Sequence, residues 1–534
     1  MSLSLVHSRA RCGVRAPEVR VEVFMAGGLP SITLAGLSGS AARESRERLR
    51  AALQTSGFEL PSRRITVNLA PAELPKDGAR FDLPMAVGLL AAAGQVPESA
   101  LRDVECYGEL SLSGALRPFS GALPAAMAAA RAGRAVILPE ANAADAACAN
   151  GAKVFGARTL AQVVAHLRGE HRLPRQAGGP PAPMDGGATP PIPDLAAVVG
   201  QAQGKRALEI AAAGGHALRL VGPPGCGKTL LARCLPGLLP PLTEEEALEL
   251  AVVRSLAAPL REAGGWPRHR PFRAPVHGAS AVALVGGGGL PRPGELSLAH
   301  HGVLFLDELP EWPRASLEAL REPLESGRVE IARAAAQAEF PARPLLVTAM
   351  NPCPCGWAGD PSGRCACPAE AIARYQARVS GPLLDRIDLH VHLPRVPAMQ
   401  LVRRDDIPED SATVRARVQA ARARQMARQG RPNAHLAPGE LEAHCQASAA
   451  ALALLERAAD RLWLSARATH RVLRVARTLA DLADAGAIEP PQIAEALAFR
   501  GAGVSCETAA LPAATLGPSL SGAGMARHGV AGTD

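Results

Sequence analysis

The sequence predicts an α/β protein, and two short stretches carry that prediction. The first has glycines between an apolar run ending at Val221 and a helix-like segment; it reads Gly222, Pro223, Pro224, Gly225, Cys226, Gly227, Lys228, Thr229. The second is an apolar run, residues 303–306, that ends in Asp307 and Glu308. A buried strand followed by a glycine loop, and another that delivers acids to the carboxyl edge of a sheet, are typical of parallel α/β domains.

The glycine stretch matches the complete phosphate-loop pattern. Its glycines let backbone N–H groups turn toward a β-phosphate, and the helix that follows presents its positive end to the same anion. Lys228 is expected to reach the β- and γ-phosphates, and Thr229 to hold Mg²⁺ through its hydroxyl. A glycine-rich turn without a ligand is the alternative. It leaves Lys228 unexplained, because the chain has only four lysines.

The acidic pair after the second strand completes the prediction of an ATPase. Asp307 is placed to hold the Mg²⁺ shell, and Glu308 to orient and deprotonate the attacking water. Binding without hydrolysis would be expected if Glu308 were absent. The sequence therefore predicts an enzyme that uses ATP and Mg²⁺.

Composition limits the class of protein. A chain of 534 residues exceeds what one hydrophobic core usually organises, so several domains are expected. No uninterrupted apolar stretch of about 18 residues and no secretory pattern is present, which predicts a cytoplasmic protein with no membrane partner. The net charge of +8 permits DNA as a partner but is weak evidence. All but four of the 58 basic residues are arginine, a bias typical of GC-rich coding sequences.

A proline- and glycine-rich stretch gives the clearest domain boundary. The predicted units are a mixed α/β domain at 1–170, a linker at 171–193, the nucleotide-binding core at 194–395, a helical region at 396–501 and a disordered tail at 502–534. Periodicity predicts strands at 19–24, 32–34, 65–69 and 136–138, and helices at 43–55, 85–93 and 465–485.

Four of the eleven cysteines form a cluster in the sequence. Two Cys-x-Cys pairs separated by nine residues could close a tetrahedral zinc site; they are Cys353, Cys355, Cys365 and Cys367. Reduced free thiols are the alternative. Because the cluster lies between Asn351 and Arg386, a zinc ion there would stiffen the connection between these two residues.

Several further motifs together resemble one family. They are the sequences at 271–275 (PFRAP), 291–295 (PRPGE), 299–302 (AHHG) and 349–356 (AMNPCPCG). They are similar to those of the YifB/ComM family of magnesium-chelatase-like AAA+ ATPases, and the resemblance runs from Leu3 to about Gly501. It implies a Lon-protease-like N-terminal domain, a AAA+ core built as an αβα sandwich and a C-terminal helical lid. It also implies a homo-oligomer, usually a hexameric ring, with ATP between subunits.

The resemblance assigns roles to three more residues. Asn351 resembles the sensor-1 residue that touches the γ-phosphate or the water. Arg386 resembles the arginine finger supplied to the ATP of the neighbouring subunit, and Arg467 resembles the sensor-2 arginine of the lid. An arginine entering a water-poor site neutralises charge that develops on the transferred phosphoryl group. A simple salt bridge is the alternative for each arginine.

The family also carries an insertion in the core, which the segment 279–290 with its four consecutive glycines matches. It is expected to form a hairpin or loop directed toward a ring pore that contacts DNA; a surface loop is the alternative. Val276 and Gly278 stand where the family commonly has histidine and threonine. His277 is therefore left alone, and a structural role is expected for it.

The N-terminal region resembles the Lon protease domain, which uses a serine–lysine dyad. Here no serine occurs between Ser62 and Ser99, and Pro124 stands where the lysine would be. Met85 follows Asp82 near the nucleophile position. Without a nucleophile or an amine to activate it, peptide cleavage has no route. This domain is therefore interpreted as a platform for binding or assembly.

The leading functional hypothesis from the sequence is an ATP-driven DNA motor. The resemblance to ComM-type proteins implies a branch-migration helicase acting in homologous recombination and natural transformation. The alternatives are a magnesium-chelatase-like ATPase and a chaperone-like AAA+ remodeller of proteins. The chain lacks the integrin-like metal-binding domain of a chelatase partner, and the missing dyad disfavours a protease.

Overall fold

The computed structural model describes residues 2–74, 76, 78–179, 191–260, 266–289, 291–333, 336–397, 399–400 and 409–500. The tail expected to be disordered, at 502–534, lies outside the described residues. So do Pro75 and Asp77, which belong to one motif of the Lon-like region.

The N-terminal region is a mixed α/β unit. Its elements are β1 (Ser2–Arg9), β2 (Glu18–Ala26), β3 (Ser31–Ala35), α1 (Gly39–Thr55), β4 (Arg64–Ala70), α2 (Asp82–Ala92), β5 (Val104–Cys106), β6 (Glu109–Leu110), β7 (Leu116–Arg117), α3 (Ala122–Arg131), β8 (Ala135–Pro139), α4 (Glu140–Ala147), β9 (Val154–Ala157) and α5 (Leu160–Arg168). Among the described residues, seven strands form one sheet in the order β3-β4-β2-β1-β5-β8-β9. The alternation that predicted β2 is confirmed, since Val19, Val21 and Val23 are all buried on one face.

After α5 the chain returns to this sheet. Arg175 forms a β-bridge with Phe155, and the N–H of Gln176 donates to the carbonyl of Val154 at 2.8 Å. The first part of the predicted linker thus lies along the edge strand β9. Residues 180–190 of that linker lie outside the described part of the chain.

The central region alternates helices with parallel strands. Its elements are α6 (Ala202–Gly214), β10 (Leu218–Val221), α7 (Lys228–Leu238), α8 (Glu244–Ala257), β11 (Phe272–Arg273), α9 (Ala281–Val285), β12 (Gly286–Gly287), β13 (Arg292–Pro293), α10 (Glu295–Leu298), β14 (Val303–Leu306), α11 (Arg314–Glu318), α12 (Arg321–Ser326), β15 (Arg328–Arg333), β16 (Ala336–Pro341), β17 (Leu345–Met350), α13 (Ala369–Gln376), α14 (Gly381–Leu384) and β18 (Leu389–His392). Five strands of the described chain form a parallel sheet in the order β11-β14-β17-β10-β18.

This sheet is covered on both faces, which confirms the expected αβα sandwich. Val303 and Phe305 of β14 join the cluster formed with α6 and α7, while Leu304 and Leu306 point into a second cluster on the opposite face. A parallel strand buried on both sides reads as a continuous apolar run, which is why β14 was recognisable in the sequence. The carboxyl ends of β10, β14 and β17 meet at one edge.

The C-terminal region is helical, as predicted. It contains α15 (Ser411–Gln429), α16 (Leu441–Cys445), α17 (Ala449–Arg461), α18 (Ala466–Leu482) and α19 (Pro490–Ala498). Val472, Val475 and Leu479 of α18 share one hydrophobic cluster with α6 and the sheet. The lid is therefore packed on the core by continuous apolar burial, which is the main driving force for such association.

The N-terminal unit packs on the central region through α8. Ala251 and Val252 of α8 are buried in a cluster with α3 and α4. The N–H of Gly121 donates to the carbonyl of Ser255 at 2.8 Å, and the N–H of Leu260 donates to Asp145 Oδ2 at 2.8 Å. Buried apolar contacts and satisfied backbone groups both fix the two units to each other.

Candidate nucleotide-binding site

The phosphate loop follows β10, which lies between β17 and β18 in the sheet, and leads into α7. A Cβ atom on Gly222 would lie 2.6 Å from the carbonyl oxygen of Leu393, so only glycine fits there. Gly225 and Gly227 have φ values of 75° and 96°, which an L side chain rarely adopts. The glycines predicted to turn the backbone around a phosphate are thus required by the geometry of the loop itself.

Lys228 lies at the centre of the loop. Its Nζ donates to the carbonyl oxygens of Gly222 and Pro223 at 2.7 and 3.0 Å, and to Asn351 Oδ1 at 3.0 Å. Burial lowers the pKa of Lys228, while the nearby carboxylates of Asp307 and Glu308 act in the opposite direction. Lys228 follows β10 and Asn351 follows the neighbouring strand β17, and the structure brings the two side chains together.

Thr229 and Asp307 form the second part of the site. Thr229 Oγ1 donates to Asp307 Oδ2 at 3.0 Å, and the other carboxylate oxygen accepts the N–H of Glu308 at 2.9 Å. A hydroxyl beside a carboxylate is a set of hard oxygen donors, which is what Mg²⁺ prefers. These residues, together with Pro224, Gly225, Gly227, Lys228 and Asn351, line a pocket of about 350 Å³. The donor set and the glycine loop therefore fit ATP with Mg²⁺.

Glu308 lies at the rim of this pocket, with its side chain 55% exposed. Its φ is 50°, a left-handed conformation uncommon for a residue other than glycine. Its Oε2 lies 3.4 Å from Nδ1 of His277. The sequence interpretation treated His277 as an isolated structural residue and missed this contact. The only available signal was that both residues follow the ends of adjacent parallel strands, β11 and β14.

The two predicted catalytic arginines are not in this pocket. Arg386 Nη2 lies 2.9 Å from Glu325 Oε1, and Arg467 Nη2 donates to the same oxygen at 2.7 Å. Neither arginine lines the nucleotide pocket. The structure thus brings Arg386 and Arg467 to each other, but not to Lys228. Glu325 contacts both arginines. Nothing in the sequence predicted this contact, apart from the position of Glu325 near the end of a short helix.

The four clustered cysteines are brought together in space. The Sγ atom of Cys353 lies 3.3 Å from that of Cys355 and 3.8 Å from that of Cys365, and the last two are 3.7 Å apart. All four Sγ atoms, Cys367 included, lie within 4.8 Å of one another. A tetrahedron with Zn–S bonds of about 2.3 Å has S–S edges of about 3.8 Å. The cluster therefore fits a zinc ion.

The surroundings favour a thiolate at Cys355 and connect the cysteine loop to the phosphate loop. The N–H of Ala358 points to Cys353 Sγ at 3.2 Å. The backbone N–H of Trp357 and the Cys353 thiol lower the pKa of Cys355 to about 6. Gly356 sits against the phosphate loop, since a Cβ there would lie 2.6 Å from Cδ of Pro224. The cysteine loop thus supports one side of the nucleotide pocket.

The glycine-rich segment at 279–290 forms a short helix, α9, followed by a two-residue ladder between β12 and β13. A hairpin was one of the two predicted forms, and the described residues confirm it; Leu290 lies outside them. Val282 within this segment and Val276 just before it are large apolar residues that are exposed. The direction of the hairpin toward a ring pore stays a prediction.

In the N-terminal unit, an ion pair occupies the region where a protease would keep its nucleophile. Asp82 at the start of α2 accepts a hydrogen bond from Nε of Arg48 at 2.8 Å. Burial raises the pKa of Asp82 to about 6, against the opposing effect of Arg48. Pro124 is buried in α3. A buried ion pair and a proline offer no activated nucleophile.

Comparisons with known proteins agree with this architecture. Three family models match the chain: "Magnesium chelatase, subunit ChlI" at residues 194–401, "Subunit ChlI of Mg-chelatase" at 21–142 and "Magnesium chelatase, subunit ChlI C-terminal" at 408–500. The chain is 47% identical to the uncharacterized protein YifB of Escherichia coli, over 94% of this chain and 97% of that protein. It is also 47% identical to the competence protein ComM of Haemophilus influenzae, over 94% of this chain and 98% of that protein.

A shorter match is to a Lon protease. A 151-residue stretch, 27% of this chain, is 29% identical to the Lon protease of Trichlorobacter lovleyi and covers 18% of that protein. Among the described residues, no helix combines the length and the apolarity that spanning a lipid bilayer requires.

Proposed function

The chain belongs to the YifB/ComM family of magnesium-chelatase-like AAA+ proteins, and from this starting point we propose that it hydrolyses ATP. The observation that carries the proposal is the convergence of five polar side chains on one pocket at the carboxyl edge of the parallel sheet; they are Lys228, Thr229, Asp307, Glu308 and Asn351. When bound, Mg²⁺ neutralises phosphate charge. Thr229 and Asp307 would hold it, and Lys228 with the loop N–H groups would bind the phosphates.

Glu308 is the proposed general base. Its exposed carboxylate, at the pocket rim, can take a proton from a water held near the γ-phosphate position. Asn351, bonded to Lys228, would orient the same water or the γ-phosphate. His277 contacts Glu308 and is proposed to restrain its carboxylate. Substituting Glu308 while keeping Lys228 would separate binding from hydrolysis.

We further propose that the active form is a ring, with six subunits as the expected number. Arg386 and Arg467 are the proposed arginine finger and sensor-2 residue, and both lie outside the nucleotide pocket of their own chain. An arginine that stabilises phosphoryl transfer must contact the phosphates. A neighbouring copy that presents its own arginines to this pocket would satisfy that requirement.

DNA is the proposed polymer on which the motor acts, as a branch-migration helicase in homologous recombination and natural transformation. The 47% identity to a protein named for competence supports this choice over others. Exposed Val282, just before the pairing of β12 with β13, offers an apolar contact for a threaded strand. The positive net charge favours association with phosphates. A magnesium-chelatase-like or chaperone-like remodelling ATPase is the second candidate, favoured by the names of the three matching family models.

The test is ATP turnover by the purified full chain with no DNA, with single-stranded DNA and with a four-way junction. We expect turnover to rise several-fold with DNA, most with the junction, and the junction to be unwound only when ATP is present. Replacing Val282 with aspartate should remove the stimulation and leave unstimulated turnover intact. Turnover that is the same with and without every DNA would reject the DNA motor and leave the second candidate.

The remaining regions receive supporting roles in this proposal. The domain limits are proposed as 1–170, 171–193, 194–395 and 396–501, followed by a tail. The N-terminal unit is proposed as an assembly platform, because it is packed on α8 rather than built around a nucleophile. The cysteine cluster is proposed to hold a structural Zn²⁺ that fixes the loop beside Pro224.

A further inference from the structure

A second and larger pocket, of about 700 Å³, lies between the central region and the lid. It is lined by a loop after β16, by the end of α12, by the segment after α15 and by one face of α18. Its charged lining is dominated by cations: Arg343, Arg431, Arg467, Arg471, Arg474 and the single carboxylate Glu325. We call this space the arginine pocket.

The positive charge of the arginine pocket is only partly neutralised. Arg431 forms a partly exposed pair with Glu440, and Arg471 forms a buried pair with Asp388. Arg343 and Arg474 form no ion pair with any carboxylate of the described residues. The Nε atoms of Arg431, Arg471 and Arg474 are buried without a hydrogen-bond partner there. Burial also lowers the pKa of Arg474. Unsatisfied buried donors of this kind are costly unless an acceptor is supplied.

Glu325 is the one carboxylate among the residues that line the arginine pocket. A single oxygen, Oε1, is contacted by Nη2 of Arg386 at 2.9 Å and by Nη2 of Arg467 at 2.7 Å. The Arg386 side chain is 8% exposed and its Nε is buried without a partner, whereas Glu325 is 44% exposed. Arg386 is thus the fixed part of the contact, whereas Glu325 and the half-exposed Arg467 are the parts that can move.

The position of Glu325 in its helix is unfavourable for a carboxylate. It lies in the last turn of α12, where the carbonyl ends give a partial negative charge. Its contacts with Arg386 and Arg467 therefore offset local repulsion. Arg386 is held independently, because its Nη1 donates to the carbonyl of Pro382 at 2.7 Å and Arg471 donates to the backbone carbonyl of Arg386 at 2.8 Å. Removing the carboxylate would leave the oriented Arg386 guanidinium beside that of Arg467, and guanidinium geometry suits phosphate oxygens.

We infer that Glu325 is a resident competitor, which occupies the proposed arginine finger Arg386 and the proposed sensor-2 residue Arg467 until phosphate displaces it. The inference rests on the proposed function in one respect: in the ring, the phosphates come from ATP held by the phosphate loop of a second copy of this chain. Glu325 then releases Arg386 and Arg467 only when a nucleotide-bearing neighbour docks. An isolated chain keeps both arginines occupied and hydrolyses ATP slowly.

The experiment measures anion binding without the phosphate loop. In a Lys228→Ala chain, inorganic tripolyphosphate is titrated by calorimetry. Adding Glu325→Gln should tighten tripolyphosphate binding about tenfold, because a competing charge is lost while size and shape are kept. Adding Arg467→Ala instead should remove the binding. Glu322→Gln is the matched control, since Glu322 lies on the same helix and is exposed, and it should change nothing.

Two results would overturn the inference. Equal affinity with and without Glu325→Gln would show that the carboxylate does not compete. No binding in any of these chains would show that the pocket is not a phosphate site. Neither result depends on ATP hydrolysis, so both are distinguishable from failure of the proposed ATPase.

A second measurement distinguishes phosphate that belongs to the ATP of a neighbouring copy from phosphate of any other source. With Lys228 intact, Glu325→Gln should lower the protein concentration needed for ATP-dependent assembly, measured by light scattering. If tripolyphosphate binding tightens but assembly in ATP is the same as in the Glu322→Gln control, the phosphate is not that of a neighbour. The assignment to a second copy would then be wrong.

Discussion

The charged groups of the nucleotide pocket and those of the arginine pocket differ in how they are partnered. In the first, Lys228, Thr229, Asp307 and Asn351 are hydrogen-bonded to one another or to the loop, so these polar groups find their partners within one chain. In the second, arginines outnumber carboxylates and several buried donors have no acceptor in the described chain. The first pocket is ready to receive its ligand, whereas the second has an excess of positive charge that an outside anion would neutralise.

The two pockets also differ in how they are built. The nucleotide pocket is formed at the ends of β10, β14 and β17, whose register in one sheet fixes the side chains to each other. The arginine pocket lies between the central region and helices of the lid. Packed helices can shift against a sheet more easily than strands can shift within it. We therefore expect the nucleotide pocket to be fixed and the arginine pocket to adjust when subunits assemble.

The largest effect is expected from Lys228→Ala. This change removes the only ammonium group of the nucleotide pocket and two charge-assisted contacts to phosphate, so ATP binding should fall by at least about 100-fold. Isothermal titration of ATP with Mg²⁺ measures this. Lys153→Ala, at an exposed position of the N-terminal unit, is the control and should bind ATP normally. ATP affinity within a few-fold of the unaltered chain would show that the loop does not bind the phosphates.

Arg386→Ala tests whether the second pocket acts across subunits. Hydrolysis should fall by about 10³-fold to 10⁵-fold, the range for loss of an arginine finger, while ATP affinity of the isolated chain stays unchanged. Mixing this variant with Lys228→Ala chains should restore part of the turnover, because each supplies what the other lacks. Arg374→Ala, on exposed α13, is the control. Failure to complement, together with weaker ATP binding by Arg386→Ala, would place the arginine in its own chain's site.

Glu308→Gln should have a smaller effect on rate and none on binding. Losing a general base lowers hydrolysis by about 10²-fold to 10⁴-fold, so ATP stays bound and rings persist. A filter-binding assay with labelled ATP and size-exclusion chromatography measure both. Glu311→Gln, three residues away and paired with Arg378 outside the pocket, is the matched control. Unchanged turnover in Glu308→Gln would remove this residue from the mechanism.

The nucleotide pocket could be predicted from the sequence because each half of it is local. The glycine loop, and the strand that ends in Asp307, are contiguous patterns whose chemistry is set by neighbours in the chain. The strands and helices of the N-terminal unit were also predictable, since alternation and apolar runs mark β2 and α2. Asn351 was assigned to this pocket only through the family resemblance, and the strand order β14-β17-β10 then places it beside Lys228.

The arginine pocket and the contact of His277 with Glu308 could not be predicted in this way. Glu325 and Arg467 are 142 positions apart, and nothing in their local sequence marks either as a partner of the other. Among so many arginines, only a family motif singled out Arg386 and Arg467, and it gave their roles but not their contacts. The hairpin of β15 and β16 was also not foreseen. Its pairing positions the loop at Arg343.

The smallest effect is expected from the cysteine cluster, and it should separate the two pockets. Cys365→Ser, or removal of zinc by a chelator, should loosen the loop that carries Gly356 and lower ATP affinity by about tenfold, the scale of a supporting interaction. Tripolyphosphate binding by the Lys228→Ala chain should not change, because the cysteines do not line the arginine pocket. Zinc content by atomic emission and the two titrations measure these effects, with Cys148→Ser as the control.

A purified chain that holds no zinc would reject the metal site. An equal loss of ATP affinity and of tripolyphosphate affinity would indicate general unfolding rather than local support of the phosphate loop.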